Sequence, residues 1–207
     1  MKLYMIRHGR TPGNAAGRYV GSRTDDPLSP EGIAALQKMG ACPSVDRVVV
    51  SGLTRTRETA ALLFPSARLV PRPELNEIDF GDLEGKTAAE LAGDPAYEAW
   101  LAAGASSTCP GGEPVEDMAA RCLRGLTEEI LLARQEGREE IYLVLHGGTI
   151  MVLMTLCADP ERPFFDWYMA NGACWTAELD PVSWERERRF TAWSYAPEAP
   201  GLTGGGK

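Results

Sequence analysis

The sequence predicts an α/β fold: three layers, with a mostly parallel sheet between helices on both faces. Three observations carry this prediction. Short apolar runs rich in Val, Ile, Leu and Tyr recur along the chain, capped amphipathic segments separate them, and 207 residues suffice for one core of ordinary size. The strand-length runs are 2–6 (KLYMI), 46–51 (DRVVVS), 67–70 (ARLV) and 140–145 (EIYLVL).

Helix signals fall between the strands. Ser29 before Pro30 reads as an N-cap and first helical residue, and Gly40 stops that helix after Met39. Residues 54–64 read as a second helix, ended by Pro65. The longest helix runs from Glu113 or Pro114 to Gln135 and places Val115, Met118, Cys122, Leu126 and Ile130 on one face. Residues 80–112, with helical fragments at 87–91 and 95–103, predict a lid-like insertion rather than another strand–helix unit. Alternation over 173–179 and 184–193, around Asp180-Pro181, predicts a closing C-terminal hairpin. Residues 1–200 then form one domain, and GLTGGGK at 201–207 a disordered tail.

Composition narrows the function. With 44% hydrophobic and 24% charged residues the chain sits at the globular average. Its net charge of −8 argues against nucleic acid or an anionic membrane as partner. The longest nearly apolar run, 150–158, is shorter than the roughly 18 residues a spanning helix needs. Arg7 and His8 interrupt the first apolar run before a signal peptide could form, so the expected location is cytoplasmic. Five cysteines at wide spacings with no CxxC pair read as reduced, buried thiols. Charge is unevenly spread: residues 1–57 hold nine Lys and Arg against four Asp and Glu, or +5, leaving −13 on the rest. A cationic zone in an acidic protein suits a pocket for a small anion.

The chain has two histidines, His8 and His146, and both stand where an apolar strand run gives way to glycine: YMIRHGR and YLVLHGGT. In open parallel sheets ligands bind beyond the carboxyl ends of the strands, so two such residues can share a site across 138 positions. A third strand end, DRVVVSG, leads into Arg55, and Arg7 directly precedes His8. Two guanidiniums, two imidazoles and helix-start amides suit a tetrahedral dianion such as phosphate. Zinc is disfavoured, because the arginines repel a cation and no third ligand is suitably spaced; no metal and no cofactor are expected. Spacing alone does not choose an acid among Glu74, Glu77, Asp79, Asp82 and Glu84.

In order along the chain stand Arg7-His8-Gly9 with Thr11 and Asn14, then Asp26-Pro27-Leu28-Ser29-Pro30-Glu31-Gly32, then Ser51-Gly52-Leu53-Thr54-Arg55 with Glu58-Thr59-Ala60. Leu75-Asn76-Glu77-Ile78-Asp79-Phe80-Gly81 with Glu84-Gly85, Pro110-Gly111-Gly112-Glu113 and His146-Gly147-Gly148-Thr149 follow. Each motif is weak, but the ordered set, spanning about three quarters of the chain, resembles the phosphoglycerate-mutase-like branch of the histidine phosphatase superfamily. The resemblance implies that neutral His8 is the nucleophile that takes the phosphoryl group. It implies that Arg7, Arg55 and a charged His146 hold the nonbridging oxygens, with neutral hydrogen bonds from Thr11 and Asn14 and from Gly147 at a helix start. Glu77 then protonates the leaving alkoxide and later deprotonates the attacking water. Arg18, Tyr19 and Arg23 are further candidate substrate contacts.

Three positions depart from the family pattern. Arg10 follows RHG where Glu or Gln is usual, Gly52 stands where Pro or Ser is common, and Met151 where Arg is frequent. Arg10 makes the pocket mouth more cationic, which adds it to the candidate substrate contacts. The expected activity is metal-independent hydrolysis of a small-molecule phosphate ester. A phosphoglycerate mutase and a phosphoprotein phosphatase are the rival enzymes, and a silent binding protein is opposed by the intact set of catalytic residue types. The short 80–112 segment favours hydrolysis over mutase chemistry, which needs its intermediate shielded from water. The aromatic cluster at 164–168 is a candidate homodimer surface, with core or lid packing as its alternative.

Overall fold

The runs at 2–6, 46–51 and 140–145 turn their side chains alternately to two buried faces, which is why they are largely apolar, whereas 67–70 lies at the sheet edge and is partly exposed. The computed structural model describes residues 1–104 and 107–199. Its elements are β1 (Lys2–Arg7), α1 (Pro12–Ala15), α2 (Pro30–Met39), β2 (Arg47–Val50), α3 (Thr54–Leu63), β3 (Arg68–Pro71), α4 (Ala88–Leu91) and α5 (Pro95–Ala103). There follow α6 (Val115–Gln135), β4 (Glu140–Leu145), α7 (Gly147–Cys157), β5 (Cys174–Glu178), α8 (Trp184–Glu187) and β6 (Ala192–Ala196). The strands form one sheet in the order β3-β2-β4-β1-β5-β6, parallel from β3 to β1, with β5 antiparallel to both of its neighbours. The mixed, mostly parallel sheet agrees with the expected fold class.

Two apolar clusters fill the layers. Leu3, Met5, Val49 and Leu143 pack on one side against Cys122, Leu126 and Ile130 of α6 and against α7. Tyr4, Ile6, Val48 and Val50 pack on the other side against Leu36 of α2 and Ala60 and Leu63 of α3. The helix boundaries follow the local signals: Ser29 Oγ accepts from Gly32 N, and Gly40 ends α2 in an extended conformation with positive φ. The apolar run at 150–158 lies mostly within α7, which is largely apolar because it is buried on all but the side of Thr155 and Leu156. No helix among the described residues is long and apolar enough to cross a membrane.

The insertion carries a small core of its own, Leu83, Leu91, Tyr97 and Cys109, with Tyr19, Phe80 and Trp100 packed against it. Thr87 and Asp94 cap its two helices. The C-terminal hairpin needs correction. Its first strand lies as expected, but the second is β6 at Ala192–Ala196, displaced toward the C-terminus from 184–193. Trp184 is the reason: buried, stacked on Phe190 and donating from Nε1 to Thr127 Oγ1 of α6, it holds the preceding residues in the short α8. The expected tail at 201–207 lies outside the described residues.

Four of the five thiols are buried and Cys42 is partly exposed. A buried ionic cluster ties α6 to the sheet: Glu129, fully buried, accepts from Arg47 Nη2 at 2.5 Å and from Arg72 Nε. Arg47 is itself buried, so removing the carboxylate leaves an uncompensated interior cation. Glu129→Gln is therefore expected to cost about 3–5 kcal/mol of stability in urea denaturation. A loss below about 1 kcal/mol would show that the cluster is solvated rather than interior.

Candidate active site

The carboxyl ends of β1, β2 and β4 meet at one edge because their parallel register aligns Arg7 with Leu145 and Val50 with Val144. The residues that follow these ends are His8, Ser51 and His146. His8 N donates to Leu145 O at 2.9 Å, and the two imidazoles meet edge to face with centroids 5.1 Å apart. Arg55, one residue into α3, is fully buried between them and the 21–24 loop.

Hydrogen bonds set the tautomers. His8 Nδ1 lies 2.7 Å from Gly9 O, so the proton is assigned to Nδ1 and Nε2 keeps its lone pair. Asn171 Nδ2 donates to His8 O at 3.0 Å, and Gly9 N donates to Thr59 Oγ1, which steadies the segment that carries the ring. His146 Nδ1 accepts from Arg55 Nε at 3.2 Å; its proton is therefore on Nε2, which donates to Ser51 Oγ at 2.7 Å. Arg55 Nη1 and Nη2 donate to the carbonyls of Thr24 and Gly21, leaving one further N–H on each nitrogen. Arg7 Nη1 donates to Met169 O, while its buried Nε has no partner among the described residues.

Burial, then the charges of Arg55 and Arg7, pushes the His8 pKa well below the ordinary histidine value. The same causes, burial first and Arg55 second, depress His146. Both directions favour the neutral imidazole, at His146 against the expectation of a charged ring, and the fixed positive charge at the site belongs to Arg7 and Arg55.

A cavity of about 520 Å³ opens beside this group, with Arg7, Asn14, Glu77 and Gly147-Gly148 on its polar side. Of the five carboxylates that spacing could not separate, Glu77 is the one that lines it. Glu77 Oε2 accepts from Gly148 N at 2.9 Å and Oε1 from Ile78 N at 3.1 Å. A Cβ at Gly148 would stand 2.4 Å from Glu77 Oε1, so this position has no room for a side chain. Asp79 is committed to Arg23, and Glu84 to the backbone of Gly21 and Arg23 and the hydroxyl of Thr24.

The remaining candidates separate by position. Asn14 faces the cavity, with its Oδ1 in a capping box with Thr11; Thr11 is buried, its hydroxyl accepting from Asn14 N at the start of α1. Arg18 and Tyr19 also line the cavity, Arg18 paired with Glu90 and Tyr19 hydrogen-bonded to Tyr97. Arg10 and Arg23 do not line it; Arg10 is exposed, and Arg23 is drawn to Asp79 and Gly111 O. The 164–168 cluster contributes Phe164, Phe165 and Tyr168 to the wall, with Arg7 over the Tyr168 ring at 5.9 Å. Asn171 was not foreshadowed, and Ser51, although part of a quoted motif, had no assigned role. Both act on histidines distant in sequence, which local patterning does not reveal. Among the described residues no cluster of three or more His, Cys, Asp or Glu is placed to hold a metal ion.

Two buried neutral histidines make stability depend on pH. Below about pH 6.5 the unfolded chain binds protons that the folded state refuses, so stability falls as pH drops toward the depressed folded values. Denaturation midpoints should fall between pH 7.5 and 5.5, and the fall should shrink in His8→Gln and in His146→Gln. An unchanged pH slope in both variants would mean that the histidines are solvated.

A family model for the histidine phosphatase superfamily (branch 1) matches residues 3–191. The chain is 34% identical over 164 residues to a 2,3-bisphosphoglycerate-dependent phosphoglycerate mutase of Rhizobium etli, covering 73% of this chain and 77% of the relative. It is 31% identical over 186 residues to an adenosylcobalamin/α-ribazole phosphatase of Salmonella typhimurium, covering 86% and 89%. The crystal structure of the α-ribazole phosphatase from Shigella flexneri superimposes with a TM-score of 0.74 at 26% identity, over 87% of this chain and 91% of that one. With its two buried strand-end histidines and its two arginines in one site, the chain belongs to the histidine phosphatase superfamily.

Proposed function

We infer that the protein is a metal-independent phosphomonoesterase acting on a small phosphorylated metabolite through a phosphohistidine. The observation that carries this reading is the His8 ring: Gly9 O holds Nδ1–H, which leaves the Nε2 lone pair as the nucleophile beside Arg7 and Arg55. In the first step Nε2 forms a bond to phosphorus, the bond from phosphorus to the ester oxygen breaks, and Glu77 gives its proton to the departing alkoxide. In the second, water attacks phospho-His8, the P–N bond breaks, and Glu77 takes the proton that water loses. Inorganic phosphate leaves, and neutral His8 is restored. The two guanidiniums and the start of α7 offset the charge that a metal ion would otherwise carry.

The leaving alcohol has a site of matching character. Apart from its polar groups the cavity wall is largely apolar, with Val20, Ile78, Met118, Met151, Val152 and Trp100 among its residues. Of the two cations that line it, Arg18 is already paired with Glu90, so a second anionic group on the substrate gains little there. This favours an ester of a partly apolar alcohol, in keeping with relatives named α-ribazole phosphatases, over the acidic substrate of a phosphoglycerate mutase. The partner is then a small-molecule phosphate ester, with no role for nucleic acid or membrane, in a cytoplasmic protein.

A panel of 3-phosphoglycerate, sugar phosphates, nucleotides, ribazole phosphate and phosphopeptides, assayed in excess EDTA, tests the reading. Full activity in EDTA on an apolar ester is expected; loss restored by zinc or magnesium overturns the mechanism, and preference for phosphopeptides overturns the substrate class. His8→Ala should abolish turnover and the trapping of acid-labile phosphate. Glu77→Gln should slow alkyl phosphate turnover about 10²–10⁴-fold yet still allow labelling by p-nitrophenyl phosphate. Equal labelling of His8→Ala and the parent protein would place the nucleophile elsewhere.

A further inference from the structure

Glu77 sits in a stretch with no strand or long helix to hold it: a 3₁₀ turn at Pro73–Leu75 precedes it and another begins at Gly81. Sheet ladders therefore do not fix its backbone, and its carbonyls need other partners. One side chain supplies most of them. Arg121, two turns into α6, donates from Nη1 to Glu74 O at 2.8 Å and Asn76 O at 2.7 Å, and from Nη2 to Glu77 O at 3.0 Å. Its Nε and Nη2 donate to the two oxygens of Glu113 at 2.6 and 2.7 Å. These five bonds engage all five N–H donors of the guanidinium.

We propose that Arg121, oriented by Glu113, is a positioning residue that sets where the Glu77 carboxyl meets the substrate. The proposal rests on the reading of Glu77 as the acid and base. It gives a role to Pro110-Gly111-Gly112-Glu113, which the mechanism leaves without one. Glu113 N donates to Asp79 O at 2.9 Å, and a Cβ on Gly112 would lie 2.4 Å from that same oxygen, so the loop docks directly on the Glu77 segment. On α6, Gly125 opens the same approach: a Cβ there would meet Glu74 Cβ at 2.9 Å. From the opposite side Gly52 N donates to Asn76 Oδ1 and Thr149 Oγ1 to Asn76 O. The segment is clamped between α6 and the strand ends, and a shift of about 1 Å in a reacting group can cost about 10²-fold in rate.

Lysine cannot replace this contact, because its three donors radiate from one atom and cannot span three carbonyls and a carboxylate. A role through Glu77 must appear where its proton counts. Arg121→Lys and Glu113→Gln should lower kcat for an alkyl phosphate about 10–100-fold, with KM and the p-nitrophenolate burst rate, whose leaving group needs no proton, within about twofold. In a Glu77→Gln background Arg121→Lys should cause no further loss. Equal losses on both substrates, or losses that add to that of Glu77→Gln, would reduce Arg121 to a structural residue and overturn the proposal. Should Arg121→Lys fail to fold, Glu113→Gln, which keeps the shape of the pair, decides by the same comparisons. If Glu77→Gln alone leaves alkyl phosphate turnover intact, the acid assignment fails instead, which separates the two outcomes.

Discussion

Arg55 is a fully buried cation bonded to two carbonyls and an imidazole, with no carboxylate among the described residues hydrogen-bonded to it, and much of the surrounding architecture serves to hold that charge. Burial lowers its pKa, while the more distant carboxylates of Glu77, Asp25, Glu84 and Asp26 push back. The contrast with Arg47 is instructive. At the other end of β2, Arg47 is neutralised by the buried Glu129, and the result is a structural cluster. A buried guanidinium balanced only at a distance leaves field to spare for an anion, and that field adds to burial in lowering the pKa of both histidines.

The loop at 21–24 shows how this constraint spreads. Its carbonyls at Gly21 and Thr24 receive Arg55, while Glu84 gathers the amides of Gly21 and Arg23 and the Thr24 hydroxyl on the far side. A Cβ on Gly21 would fall 2.2 Å from Ile78 O, so this glycine lets the loop lie against the strand of chain that bears Glu77. Glu77 and Arg55 are thereby set by the same short segment. The insertion adds Phe80, Trp100 and Cys109 to the cavity wall, which makes that part of the lining mostly apolar.

Much of this was legible in the sequence where the deciding physics is local. Strand runs buried on both faces are continuous in Val, Ile and Leu; Ser29-Pro30 and Gly40 bound α2 through capping and backbone freedom; and histidines directly after strand runs fall at strand ends whatever the sheet order. The family motifs added Glu77, which spacing could not pick out.

Tertiary structure decided what depends on distant partners. Glu77 rather than Asp79 or Glu84 faces the cavity, because Arg23 and the 21–24 amides occupy the other two. The charge on His146 was unreadable, since it follows from burial and from an Arg55 Nε–H aimed at Nδ1 across 91 positions. The last strand began later than alternation suggested, because Trp184 found its place against Phe190 and Thr127. The sequence by itself determined the fold class and the residue types that can handle phosphate, through periodicity and chemistry carried by neighbours along the chain. Protonation, orientation and the choice among like side chains were left to the folded molecule, because they are set by desolvation and by hydrogen bonds that form only when remote segments meet.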